Sequence, residues 1–358
     1  MQTNIRPMRF QWIDMAKGLG ILLMILGHMH VGQSIRDFIY SFHMIMFVMI
    51  SGYLYKEDTA LKNYLPRKVR TLLIPYLMTN VVSYFVRLFM LWRAGFFTVS
   101  GALGILRAQA LTTVGGSSFY AKHFITIETC GPIWFVTFLF CIVVFYAVLN
   151  RVKLKNKIVQ DIVYLVLLLL AAWGGKTYAF HNGFLPWNLD VVPVGMVFYH
   201  IGVMVKRYHV MEKIRRYFIW IILLVLWLSL YPKTGSIIFA TREYLGFPYS
   251  IVVSVCGSLV VMLAMKEFER IRFAKPVKDG LAWIGRNSMI VLAVHTIEFV
   301  HVEWIEHLQE RVGNVWFSFL IYAIVVLLCT FVYTQGKKFV ISYICRLRQR
   351  KTYKKTLN

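Results

Sequence analysis

The chain is short of charge. Only 16% of its 358 residues are Asp, Glu, Lys or Arg, while 58% are hydrophobic. A soluble domain carries about 25% charged and 45–50% apolar residues, so an ordinary water-soluble fold is excluded. Cysteine is scarce too. Cys130, Cys141, Cys256, Cys329 and Cys345 are scattered with no C-x-x-C pair, which excludes a disulfide framework and a zinc site. No cleavable signal peptide is evident, because the first apolar run leads into a charged turn and a second run, so the first helix is expected to direct its own insertion. Internal repeats and paired broken helices are lacking as well, which weakens a carrier of the inverted-repeat kind.

Long apolar runs are abundant, and the mean hydropathy is +0.61. About ten spans are expected, near 12–30, 38–55, 72–92, 132–149, 158–174, 190–205, 217–231, 247–265, 281–300 and 315–334. Runs of this length without strand-like alternation must be helices in lipid. The expected fold is therefore all-α, a polytopic integral membrane helical bundle, with a single membrane domain over 1–345 and a basic tail over 346–358 on anionic headgroups.

The formal net charge is +24. Nucleic acid would require the basic residues to share one soluble surface, whereas here they lie in short clusters between apolar runs, so no nucleic-acid partner is expected. Lys56 to Arg70, Arg151 to Lys157, Lys206 to Arg216, Lys266 to Lys278 and the tail alternate with connections that hold little more than Arg36, Arg93, Arg107, Lys122, Lys176, Lys233, Arg242 and Arg311. The positive-inside rule then puts both termini in the cytoplasm. The one long connection, about 95–131, falls outside as a lid, a tether or a segment dipping back into the membrane.

Asp14, Lys17 and His28 share a face of the first span. Lys17 and His28 are eleven residues apart, three turns plus about 20°, or about 16 Å along that face. Ionisable groups in a span cost about 2.5–3.5 kcal/mol each at its centre and are functional candidates by default. The same spacing also fits a lysine that snorkels and a histidine that caps the helix. His43 strengthens the functional reading, since it and His28 are almost equidistant from the turn near residue 35 and so lie at one depth. His295 and Glu298, late in the ninth span, fall at that depth too. Histidine suits proton transfer near neutral pH. Arg67 and Arg70 share a helix face and fit either a positive-inside cluster or a phosphate clamp. Trp134, at the outer start of the fourth span, fits an interfacial belt or a sugar-stacking site. Trp187, Trp304, Glu128 and Asp190 are further outer-side candidates. No metal ligand set and no permanently bound cofactor are expected.

Several motifs occur in order over nearly the whole chain. They are Lys17-x10-His28, Phe42-His43-Met44 leading to Ile50-Ser51-Gly52-Tyr53-Leu54, Arg67-x-x-Arg70 with Ile74-Pro75-Tyr76, Gly131-Pro132-Ile133-Trp134-Phe135, and Ile284-Gly285-Arg286-Asn287-Ser288 followed by His295. Together they resemble the integral membrane acyltransferase 3 family, in particular its branch of bacterial cell-surface polysaccharide O-acetyltransferases. The resemblance implies transfer of an acyl group, usually acetyl from cytoplasmic acetyl-CoA, to a hydroxyl of a glycan or lipid-linked glycan at the outer face of the bacterial inner membrane. It implies a catalytic His28 with Lys17 as basic partner, and Arg67 with Arg70 at the acyl-CoA. One departure stands out. Where many members carry Trp-Ser-Leu-x-x-Glu, this chain has Trp134-Phe135-Val136-Thr137-Phe138-Leu139, so no glutamate role carries over. The residues themselves also fit a transporter or flippase with proton-relaying histidines.

Overall fold

A computed structural model describes residues 10–57, 59–118, 121–122, 126–127, 129–182, 185–244 and 246–356. The helices run α1 Gln11–Gly27, α2 Gln33–Tyr40, α3 His43–Tyr53, α4 Leu61–Lys68, α5 Ile74–Arg93, α6 Val99–Gly115, α7 Trp134–Leu149 and α8 Lys157–Asn182. They continue with α9 Val192–Arg207, α10 Val210–Arg216, α11 Ile219–Thr234, α12 Tyr249–Phe268, α13 Lys275–Arg286, α14 Ser288–His301, α15 Trp304–Val312 and α16 Val315–Thr356. A π-helical turn, Val69–Leu73, joins α4 to α5. Two-stranded hairpins, Ala121–Lys122 with Thr126–Ile127 and Ile237–Ile238 with Glu243–Tyr244, decorate the loops.

The all-helical membrane class expected from the sequence is what the chain forms. Among the described residues seven helical stretches are long and apolar enough to cross a membrane, and nine if each bent pair crosses once. Those pairs are α10 with α11, bent by 96°, and α14 with α15, bent by 78°. The count falls one short of the ten expected, and the helix that makes the difference is α1. Its 17 residues sit at the lower length limit for a span, about 17 residues. The second expected span is broken at Ser41 and Phe42, and the ninth at Asn287. The long connection is also more ordered than its composition suggests, since α6 folds back on α5. There Tyr76 Oη donates to Thr113 O at 2.8 Å and Gln109 Nε2 to Asn80 Oδ1 at 3.0 Å.

α1 is held at the centre by backbone approach. A Cβ added to Gly18 would lie 2.1 Å from Leu281 O of α13, and one on Gly285 would lie 1.7 Å from Asp14 O. Without a hydrophobic drive between helices in lipid, such small-residue seams let two backbones pack closely. α3 and α9 use the same device, with Gly52 against Tyr199 O and Gly202 against Met49 O, at 2.0 and 2.1 Å from the added Cβ. These seams fix the rotation of α1 and α3, and with it the directions of Lys17, His28 and His43.

Polar side chains gather at both ends of the bundle. At the Lys17 end Gln11 Nε2 donates to Asp279 Oδ1 at 2.9 Å, Lys266 lies 6.0 Å from the Trp12 ring, and Arg207 pairs with Glu57 and Asp161. At the His28 end Arg242 ties the loops together. It bonds Asp190 Oδ2 at 2.8 Å, Ser118 Oγ at 2.6 Å and Asn188 Oδ1 at 3.0 Å. Asp190 is thus part of a loop lock.

Candidate active site

A cavity of about 650 Å³ runs along α1 from Lys17 to His28. One face of α2 and α3 forms its opposite wall through Gln33, Arg36, Tyr40, His43, Phe47 and Ser51. That face keeps helical spacing across the break at Ser41 and Phe42, so the second span lines the cavity from end to end. The lining changes character along its length. Lys17 and Lys68 stand at one end, Ile21, Met24, Met44, Phe47, Leu139, Met289 and Leu292 form an apolar middle, and His28, His43, Arg36, Tyr40, Thr241 and Glu243 surround the other end.

Lys17 is held 3.8 Å from the buried Asp14 carboxylate, one turn earlier. From the Arg67–Arg70 segment it is Lys68 that reaches the cavity, with its ammonium 5.1 Å from the Tyr64 ring centroid. Arg67 and Arg70 are exposed and do not line it. They straddle the passage from α4 into the π turn, on either side of Lys68 in the chain.

His28 follows the last residue of α1 as its C-cap. Its ring is 5.3 Å from that of His295 and 5.1 Å from that of Phe299, centroid to centroid. His295 is fully buried and stands behind His28 instead of on the cavity wall. Its Nδ1 lies 2.8 Å from Tyr322 Oη, and that hydroxyl in turn donates to Glu298 Oε2. A carboxylate accepts only, so the Tyr322 proton goes to Glu298 and Nδ1–H of His295 donates to Tyr322. The lone pair of His295 is then on Nε2, which is buried with no hydrogen-bond partner among the described residues.

His43 is set the same way. Its Nδ1 lies 2.8 Å from Ile39 O, so Nδ1 carries the proton and Nε2 the lone pair. That Nε2 too is buried without a partner among the described residues. Two imidazoles, His28 and His43, thus line one end of the cavity with His295 behind His28, and His43 and His295 have their tautomer fixed with the basic nitrogen unspent. No group of His, Cys, Asp or Glu suited to a metal ion occurs among the described residues.

Residues 10–334 match the acyltransferase 3 family model, described as an acyltransferase domain. The chain belongs to this family. No curated protein and no solved structure matches it. The protein is therefore a multi-pass membrane acyltransferase, and the polar cavity of this enzyme is an acyl-transfer site candidate in place of the carrier path that the same residues would also fit.

Of the residues singled out in the sequence, Lys17, His28, His43 and Trp134 line the acyltransferase cavity. Glu298 is committed to the bend after α14, where it accepts the Ile305 N–H at 2.9 Å as well as the Tyr322 hydroxyl, so it does not reach the cavity as an acceptor-binding group. Trp187 donates its Nε1–H to Val114 O at 2.7 Å, and Trp304 packs on Tyr322 with centroids 5.9 Å apart. Glu128 lies outside the described residues. Sequence reading missed Lys68, Arg36, Tyr40 and Tyr322. The spacing 36, 40, 43 was a usable signal for two of them, whereas nothing local marks Tyr322.

Proposed function

We propose that this acyltransferase moves an acyl group, acetyl by the habit of its family, from cytoplasmic acyl-CoA to a hydroxyl of a bacterial cell-surface glycan or its lipid-linked precursor. The observation that carries the reading is the gradient along one cavity, cationic at Lys17 and Lys68, apolar in the middle, and lined by histidines at the far end. Such a gradient matches an acyl-CoA thioester. Its phosphates stay with Lys68, Arg67 and Arg70 at the basic end, its thin arm follows the apolar middle past Lys17, and the acyl group arrives at His28. The alternation of basic clusters supports a cytoplasmic position for that end and for both termini by the positive-inside rule, and the reading takes the membrane to be the bacterial inner membrane.

In this reading His28 acts as general base. It takes the proton of the acceptor hydroxyl as that oxygen bonds to the thioester carbonyl carbon. The adduct then expels the thiolate, which recovers the proton from His28. His43 Nε2 accepts a neighbouring hydroxyl of the sugar and orients it, while Trp134 offers its ring to the glycan. His295, held by Tyr322 and Glu298, keeps the His28 ring in place.

The test is the His28→Ala variant in the producing cell. Mass spectrometry of its surface glycans should show loss of the acetyl increment, with as much protein in the membrane as in the wild type. Glycans acetylated to the wild-type level in that strain would remove His28 from the reaction.

A further inference from the structure

Addition of a hydroxyl to a thioester puts negative charge on the carbonyl oxygen, and a donor must face that oxygen. Three side-chain nitrogens around the His28 end are buried with no hydrogen-bond partner among the described residues, namely His43 Nε2, His295 Nε2 and Arg36 Nε. The tautomers described above make the first two acceptors. Of these nitrogens only Arg36 Nε–H is a donor. The Thr241 hydroxyl on the same lining is also buried without a partner among the described residues, but it is neutral, whereas Arg36 carries a charge opposite to that of an oxyanion. Arg36 precedes Tyr40 by four residues and His43 by seven, so all three project from one face into the cavity. The Tyr40 hydroxyl is already given to Gly27 O, at 3.2 Å. No carboxylate pairs with Arg36 among the described residues. A guanidinium stays protonated, and a buried N–H without an acceptor is costly to keep. A developing oxyanion beside His28 would satisfy it.

We infer that Arg36 is the oxyanion-stabilising residue of this acyltransferase, its guanidinium donating to the thioester carbonyl oxygen while His28 takes the acceptor proton. The inference rests on the acyl-CoA reading above. As the hydroxyl oxygen bonds to the carbonyl carbon, the π electron pair moves onto the oxygen facing Arg36. When the C=O bond re-forms, the C–S bond breaks and the thiolate takes the proton from His28. Arg36 remains a cation throughout.

The experiment uses purified full-length enzyme in lipid vesicles, with acetyl-CoA as donor and alkali-deacetylated envelope polysaccharide titrated as acceptor, and reads released thiol. Arg36→Met should lower kcat by about 10²–10³-fold with KM unchanged for both substrates. Arg36→Lys should recover part of that loss, since it keeps the charge without the fork, and it carries the test if Arg36→Met does not fold. An Arg36→Met enzyme with wild-type kcat and a raised polysaccharide KM overturns the inference in favour of an anionic group on the acceptor. Wild-type kinetics in both variants overturn it as well. A wild type that releases no thiol refutes the acyl-CoA reading itself, and does so in the control before any variant is compared.

Discussion

Two buried clusters of histidine, tyrosine and carboxylate sit at opposite ends of this bundle, and they treat their hydrogen bonds differently. At the Lys17 end His200 uses both ring nitrogens, with Nδ1 accepting from Tyr146 Oη at 2.8 Å and Nε2–H donating to Asp161 O at 3.0 Å. Arg207 bonds both Asp161 and Glu57, and Tyr208 Oη donates to Asp161 Oδ2 at 2.6 Å. At the His28 end the basic nitrogens of His43 and His295 and the Nε–H of Arg36 have no partner among the described residues. A closed network rigidifies, whereas an open one is high in energy unless something completes it. The first cluster ties α7, α8, α9 and the segment after α3 together, and the second is the one beside the cavity. Burial of a histidine is therefore a poor guide to chemistry in this protein. The direction of its spare nitrogen is the better one.

The sharpest way to break the comparison is to open the closed cluster. Asp161→Ala leaves the largely buried Arg207 guanidinium with Glu57 as its remaining carboxylate, and removing one partner of a buried pair destabilises by about 3–5 kcal/mol. The variant should unfold at a distinctly lower temperature in detergent, while the folded fraction transfers acyl groups with wild-type kcat. His28→Ala should do the reverse. An Asp161→Ala enzyme of normal stability that has lost transfer would show that the closed cluster also serves the chemistry.

A smaller effect is expected where the two clusters resemble each other, in the tyrosine beside each histidine. Tyr322→Phe removes the hydroxyl between His295 and Glu298, so His295 loses the acceptor that fixes its tautomer behind His28. At metal sites the loss of a partner that orients a histidine costs about tenfold at the lower end, and an effect of that order is expected for the orienting hydroxyl here. kcat should fall by about that factor with donor KM and unfolding temperature unchanged. Tyr146→Phe, by contrast, should shift the unfolding temperature and leave kcat alone. Equal behaviour of the two variants would dissolve the distinction.

Much of this was legible in the sequence because lipid makes charge conspicuous. Asp14, Lys17 and His28 stood out against an apolar run, and helical spacing was enough to put Lys17 and His28 on one wall. His43 followed from its distance to a turn, an argument that survives the break at Ser41 and Phe42 because the face of α2 and α3 continues across it. Contacts made far along the chain were not legible. Tyr322 reaches His295 from α16, and Glu298 is turned toward α15 by a bend that composition does not mark. Of the seam glycines only Gly52 and Gly285 stand in the motifs, as letters whose meaning is set by helices far along the chain, while Gly18 and Gly202 carry no local signal at all. Lys68 faces inward and Arg67 outward from the end of α4, and Arg70 lies in the π turn that follows, whose register periodicity read at 3.6 residues cannot show.

That contrast leads to the smallest effect and the finest division within the open site. Lys68 lines the cavity beside the apolar middle, and Arg67 and Arg70 are exposed around it, so the three cations should contribute unequally to the donor. An exposed phosphate contact is screened by salt, whereas a cation partly shielded from water is screened less. Lys68→Gln should raise the acetyl-CoA KM several-fold, and the increase should persist at high salt. Arg67→Gln and Arg70→Gln should each raise it less, with the difference from wild type shrinking as salt is added, since surface ion pairs contribute about 0–1 kcal/mol. Initial-rate measurements at two ionic strengths would decide it. If Arg67→Gln or Arg70→Gln raised KM more than Lys68→Gln and did so independently of salt, the donor phosphates would lie against the exposed face of α4, and the cavity would receive only the acyl arm.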